Sequence, residues 1–168
     1  GPNVRYFERL GTVFHHVDLD RQGSNPFADA ILLGQYFRLF LRTRPDVVLS
    51  FTVKPNIYGG LVGRVLGIPV MPTVTGLGAG FAHGGLLRKM LVSLSRLAMA
   101  EAPRIFVQNN ANAEELSGLG IVRDNAVLLP GSGVNVERYD LSLYPREDDG
   151  VRFLFLGRIL RDKGIAEF

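Results

Sequence analysis

Between Phe27 and Arg42 the apolar residues Ile31, Leu32, Tyr36, Leu39 and Phe40 recur at spacings of three and four, which gathers them on one stripe and predicts a packing helix. Pro45 ends it. Asp46-Val47-Val48-Leu49-Ser50-Phe51 follows as a nearly unbroken apolar run, the pattern of a strand buried on both faces of a parallel sheet. The alternation then repeats. A small-residue helix is predicted from Ile57 to Leu66 with Gly67 as its stop, and a strand from Ile68 to Val74. Pro69 and Pro72 within that strand predict an edge position or irregular pairing. Further on, the pattern predicts a helix from Gly85 to Ala100, a strand from Arg104 to Gln108, a helix from Asn110 to Leu119 and a strand from Ala126 to Leu129. Upstream, Thr12 to Val17 is a β-rich run, closed by a polar turn that ends in Asn25-Pro26.

This order predicts an α/β fold, a Rossmann-like parallel sheet with helices on both faces. Residues 1–140 form the expected first domain. The composition of 141–150 shifts to Ser, Tyr-Pro, Glu, Asp-Asp and Gly and reads as a linker, after which Val151 to Leu156 predicts the opening strand of a second domain within 151–168. The chain opens on Gly1-Pro2 and stops at Phe168 in what reads as a first helical turn. The expectation is a piece cut at both ends, without activity of its own.

Composition changes the picture little. The 46% hydrophobic and 21% charged residues exclude disorder as an overall description. The absence of cysteine removes disulfides, thiolate zinc sites and a cysteine nucleophile, and fits a reducing, cytoplasmic compartment. A net charge of +3 could serve phosphates, anionic lipid or solubility and selects none of them, and no nucleic acid is expected as partner. No apolar stretch is long enough to cross a bilayer, which leaves peripheral contact as the mode of membrane association. The 85–100 segment is the candidate: Leu86, Leu87, Met90, Leu91, Leu94, Leu97 and Ala98 oppose Arg88, Lys89 and Arg96. The competing reading is a helix covering the sheet.

In parallel sheets ligands bind beyond the carboxyl ends of the strands, and four segments there are unusual. Lys54 and Asn56 follow the 46–51 strand at a helix start, where a cation and an amide suit an anion or a sugar. Thr75-Gly76-Leu77-Gly78-Ala79-Gly80 brings a hydroxyl and flexible backbone after the next strand. It is not a dinucleotide fingerprint, because Phe81 occupies the place of the last glycine. Gly131-Ser132-Gly133 closes the 126–129 strand. Arg158 and Lys163 follow the 151–156 run and can converge on one anion. The remaining candidates are weaker. His15 and His16 are adjacent and point to opposite faces of a strand, so no metal site is expected. Glu114-Glu115 and Asp148-Asp149 read as solvated charges.

Taken together, F-T-V-K-P-N-I-Y-G-G at 51–60, V-T-G-L-G at 74–78, V-Q-N at 107–109, L-P-G-S-G-V at 129–134 and G-R-x-x-x-x-K-G at 157–164 resemble glycosyltransferase family 4. These are bacterial enzymes with two facing Rossmann-like domains, the GT-B architecture. The closest likeness is to the branch that extends sugars on undecaprenyl diphosphate in O-antigen, lipopolysaccharide or capsule biosynthesis. The resemblance implies a retaining hexosyl- or N-acetylhexosaminyltransferase that uses a nucleotide-sugar donor, a UDP-sugar, a lipid-linked glycan acceptor, and neither cofactor nor metal. It assigns Arg158 and Lys163 to the donor diphosphate, Gly76, Gly78, Gly131 and Gly133 to glycine loops facing the cleft, and Lys54, Asn56 and Thr75 to the acceptor side. Thr75 stands where many relatives carry a histidine, so no catalytic residue is carried over. A non-catalytic sugar- or nucleotide-binding module and a GT-B epimerase are the alternatives.

Overall fold

The computed structural model describes residues 4–20, 25–77, 81, 84–131, 133–140, 142, 150–151, 153–157, 159 and 164–167. By internal contacts the chain divides into two units, Gly1–Gly131 and Ser132–Phe168.

The first unit begins with α1 (Val4–Arg9) and α2 (Pro26–Thr43). Asn25 caps α2, its side-chain oxygen accepting from the Phe27 amide at 3.0 Å, and Pro26 occupies the first turn where no donor is needed. The Asn-Pro pair read as a turn is thus the helix start. Strand β1 (Val48–Phe51), helix α3 (Val53–Leu66), strand β2 (Val70–Val74), helix α4 (Leu86–Met99), strand β3 (Ile105–Val107), helix α5 (Asn110–Gly118) and strand β4 (Ala126–Leu128) follow. The sheet has four strands in the order β1-β2-β3-β4, every pair parallel.

The α/β parallel class is therefore as expected, and the placing of its helices is narrower. A strand order that never reverses, joined by right-handed crossovers, collects α3, α4 and α5 on one face. The register agrees. Ser50, Val70, Pro72, Val74, Ile105 and Val107 share that face and are buried. Leu49 and Phe51, on the other face, are 58% and 54% exposed. The core lies between sheet and helices, centred on Ile105, Val107 and Leu116. A second cluster of Phe40, Val62 and Val70 joins α2 and α3 to β2.

The expected strand at Thr12 to Val17 is corrected, and of the two alternatives for the proline-bearing strand the structure takes irregular pairing rather than an edge position. β2 is central despite its prolines, lying between β1 and β3. Val48 donates to the Pro69 carbonyl at 2.9 Å, so odd-numbered positions of β2 face β1 and Pro72 faces β3. The β2–β3 pairing runs from Thr73 to Val74, so the donor that Pro72 lacks falls just before it. Thr12 to Val17 forms no strand. This segment runs beside α2, with Asp18 and Gln35 exchanging hydrogen bonds at 2.9 and 3.1 Å and His15 Nδ1 2.9 Å from Arg42 Nη2. A β-rich sequence needs a free strand edge at the right place before it can pair.

Helix α4 is turned so that only the Leu91 and Ala98 edge of its leucine face meets the core. Val92, Ser95, Ala98 and Met99 are buried, whereas Leu86, Leu87, Met90 and Leu97 are exposed. Val92 and Met99, outside the leucine stripe, pack into the core beneath the sheet. Among the described residues no helix is long and apolar enough to cross a membrane.

In the second unit the residues from Val136 to Tyr139 make a turn, and Asn135 Oδ1 accepts from the Glu137 amide at 3.0 Å. Val151 and Phe153 to Leu156, expected as a strand, carry no strand pairing, and Phe153, Leu154 and Leu156 are more than 80% exposed.

Candidate functional site: the carboxyl ends of β1 and β2

Helix α3 starts immediately after β1, so its first turn stands at the carboxyl edge of the sheet. Thr52 makes the junction with φ 71° and ψ 165°, a backbone region that is essentially glycine territory and costs about 1–3 kcal/mol for a side-chain-bearing residue. It offers no side-chain cap to the helix. The chain tolerates this geometry because the first turns of α3 are fixed from two sides.

On the sheet side the anchor is Asn56, which is 2% exposed. Its Oδ1 accepts from Ser50 Oγ at 2.8 Å and its Nδ2 donates to the Thr73 carbonyl at 3.0 Å. One amide thereby ties α3 to both β1 and β2. Asn56, expected on the acceptor side, spends its amide on two internal bonds.

On the α2 side the anchor is Lys54. Its Nζ lies 2.7 Å from Asp29 Oδ1, both side chains about four-fifths buried. Tyr58, one turn further along α3, also bonds to Asp29, and burial first and that carboxylate second push its phenol up to about 12. The phenol is therefore protonated and donating at neutral pH. A raised folded-state value contributes stability that is fully present below the ordinary tyrosine value of 10 and is lost as pH rises from there to about 12. Tyr58→Phe should remove that arm from a profile of urea midpoint against pH while leaving the neutral region nearly flat. An unchanged alkaline arm means that Tyr58 is not the group that titrates there. Asp29 and Tyr58 were not singled out from sequence; the available signal was the four-residue spacing of Lys54 and Tyr58.

Between α3, α4 and the loop after β2 lies a cavity whose apolar walls include Val53, Ile57, Val74, Phe81, Met99 and Leu116. Its polar lining comes from Thr52, Thr75, Ser95 and Asn56, with Gly76 and Leu77 closing the rim. Arg88 Nε donates to the Phe81 carbonyl at 2.9 Å and fixes that residue against α4. The structure thus brings Asn56, Thr75 and Gly76 to one cavity. Lys54 is absent from its lining and faces Asp29 instead. Gly131 ends the first unit and Gly133, at φ 64°, belongs to the second. Gly78, Arg158 and Lys163 lie outside the described residues. Among the described residues no three His, Asp or Glu side chains are grouped to hold a metal ion.

A family model described as a glycosyl transferase 4-like domain matches residues 1–131. The chain belongs to this family. A curated relative, the N,N'-diacetylbacillosaminyl-diphospho-undecaprenol alpha-1,3-N-acetylgalactosaminyltransferase of Campylobacter jejuni, is 25% identical over 171 aligned positions. The alignment covers 90% of this chain and 44% of the relative, so the chain spans less than half the length of that protein. A solved structure, MurG of Acinetobacter baumannii, aligns with 18% identity and a TM-score of 0.47, over 78% of this chain and 33% of that one. In this glycosyl transferase 4-like chain the family match covers the whole parallel sheet, including every residue that lines the cavity.

Proposed function

We propose that this chain supplies the acceptor-side domain of a retaining glycosyltransferase, which moves a sugar from a nucleotide donor, a UDP-sugar, to a lipid-linked glycan acceptor in bacterial surface-polysaccharide synthesis. The observation that carries the reading is the family match over residues 1–131, with the Campylobacter relative named for work on an undecaprenol-diphosphate-linked sugar. The cavity at the carboxyl ends of β1 and β2 supports it, because that edge is where parallel sheets receive ligands.

In such a transfer the bond between the anomeric carbon and the donor phosphate breaks, an acceptor hydroxyl takes its place with loss of its proton, and a nucleoside diphosphate departs with its negative charge. Arg158 and Lys163 are the residues proposed to meet that charge. Preorganised cations at a leaving group contribute about 3 kcal/mol each to transition-state stabilisation. The test is transfer by the intact protein from a panel of radiolabelled nucleotide sugars into extracted lipid-linked acceptor. Arg158→Ala and Lys163→Ala should each lower kcat about 100-fold. Unchanged turnover after neutralising both overturns their role, and no transfer from any donor overturns the enzyme.

A lipid-linked acceptor requires the protein to work at a membrane surface, and α4 supports peripheral contact there. Leu86, Leu87, Met90 and Leu97 are exposed, Lys89 and Arg96 flank them, and the helix contains no Asp or Glu. An apolar stripe flanked by cations suits anionic headgroups at the cytoplasmic face. In liposome flotation the intact protein should rise with vesicles containing anionic lipid, less so at high salt, and Leu86→Glu with Met90→Glu should abolish this. Equal recovery with neutral vesicles argues against it.

A further inference from the structure

We infer that the cavity between α3, α4 and the loop after β2 is a subsite for a hydroxymethyl group, with the Ser95 hydroxyl as its floor. The inference rests on the reading of this edge as a sugar-binding crevice and adds the feature that it selects, a free primary hydroxyl on an exocyclic carbon.

Ser95 carries the argument. It is 2% exposed and lines the cavity, so a ligand reaches it only from there. A serine or threonine inside a helix commonly spends its hydroxyl on the carbonyl four residues earlier, as Thr43 of α2 does on Leu39 at 2.8 Å. The Ser95 hydroxyl bonds to none of the described residues, and among them no fully enclosed side-chain oxygen lacks a partner. The little surface that this hydroxyl keeps therefore opens into the cavity.

Size decides what can meet it. The cavity offers about 20 Å³ to a water-sized sphere, room for one small polar group and far too little for a pyranose ring. A ring stays at the mouth, beside the exposed Thr52 and Thr75. A hydroxyl on a ring carbon stays at the mouth with it, whereas a hydroxymethyl arm carries its oxygen one carbon deeper. Its methylene lies against the buried apolar walls of Ile57, Val74, Phe81 and Met99, and its oxygen meets Ser95. Two hydroxyls pair in either sense, since each donates and accepts. A water fits the same floor. The arm reproduces the bond of that water to Ser95 and adds the apolar contact of the methylene. Other exocyclic groups match less well. The methyl group of a 6-deoxy sugar, or the methyl end of an acetamido arm, covers Ser95 with carbon and leaves its hydroxyl without a partner. A carboxylate sets a charge against apolar walls, and among the described residues no Lys or Arg lines the cavity.

Met99 lines the cavity and is a local reporter. With carbon-13 in the methionine methyl groups of the intact protein, titration with methyl glucoside or methyl galactoside should move the Met99 signal saturably. Met71, on the opposite face of β2, and Met90, on the exposed side of α4, should stay in place. The matching 6-deoxyglycosides should bind about tenfold more weakly, because a site that pairs a hydroxyl penalises the analogue lacking it. Ser95→Ala removes the hydroxyl without adding bulk. In that variant the parent glycoside should fall to the affinity of its 6-deoxy analogue, whose own binding stays the same. A merely structural role for Ser95 predicts instead that both weaken together, and that result overturns the proposal. So does equal binding of parent and 6-deoxy glycosides, a preference that survives Ser95→Ala, or equal responses at all three methionines. A Met99 signal that answers to no glycoside leaves water as the only occupant and overturns it too. In the transfer assay of the intact protein, equal KM values for acceptors with and without the 6-hydroxyl overturn the subsite while leaving the glycosyltransferase reading in place. A selective Met99 response with the expected preference, but without transfer from any donor, upholds the subsite and removes the enzyme.

Discussion

Asn56→Leu should lower the unfolding free energy by about 2–4 kcal/mol, read from the urea midpoint at constant slope. Leucine keeps the branching of asparagine but is bulkier, so at this buried site the change adds crowding to the loss of hydrogen bonding. It strands the Ser50 hydroxyl and the Thr73 carbonyl, which now bond to the amide at 2.8 and 3.0 Å in a buried setting. Each unsatisfied buried group costs about 1–3 kcal/mol, whereas removing both partners of a pair costs much less. Adding Ser50→Ala to Asn56→Leu should therefore recover part of the loss, a coupling that a double-mutant cycle measures directly. Strict additivity of the two changes means that the bond contributes nothing.

The second large effect is expected at Gly63→Val. A Cβ placed on Gly63 comes within 2.7 Å of the Ile68 carbonyl and runs into the Val70 side chain. A backbone carbonyl cannot rotate aside as a long side chain can, so α3 must lift from β2 to make room. Overpacking of this kind costs about 1–3 kcal/mol, and the larger valine belongs at the upper end. Gly59→Ala is the matched control. It lies in the same helix with nothing within 4 Å of an added Cβ, so it should gain the roughly 0.5–1 kcal/mol by which alanine exceeds glycine in a helix. Thermal midpoints by circular dichroism should move in opposite directions. Equal shifts would mean that close approach of α3 to the sheet is not what requires glycine at position 63.

The contrast between these positions shows what can be read from a sequence of this kind. Helices α2, α3, α4 and α5 and strands β1 to β4 follow from local spacing and local punctuation, and their order alone gives the parallel α/β class. Pairing is another matter. Thr12 to Val17 has strand composition, yet a strand exists only with a neighbour, and the neighbour is a property of the whole chain. The same limit governs side chains. Lys54 reads as a free cation until Asp29, 25 residues earlier and on another helix, is brought to 2.7 Å. Asn56 reads as a ligand-facing amide until β1 and β2 close around it. Helix α4 was legible as amphipathic, whereas the side that meets the sheet depended on packing: Val92, Ser95 and Met99, few and small against its leucines, form the inner face. Thr75 and Gly76 were legible as crevice residues because their position directly after a strand, unlike a partner, is local information.

The strand order has a consequence for synthesis. Each strand of the sheet lies beside its immediate predecessor in the chain, so no strand must wait for a later one to be inserted between it and its neighbour. Polypeptide leaving the ribosome can add one strand-and-helix unit at a time to a growing edge, with loop closures limited to single crossovers. Stalled nascent chains of increasing length should accordingly become resistant to protease in steps, one for each unit that has cleared the exit tunnel.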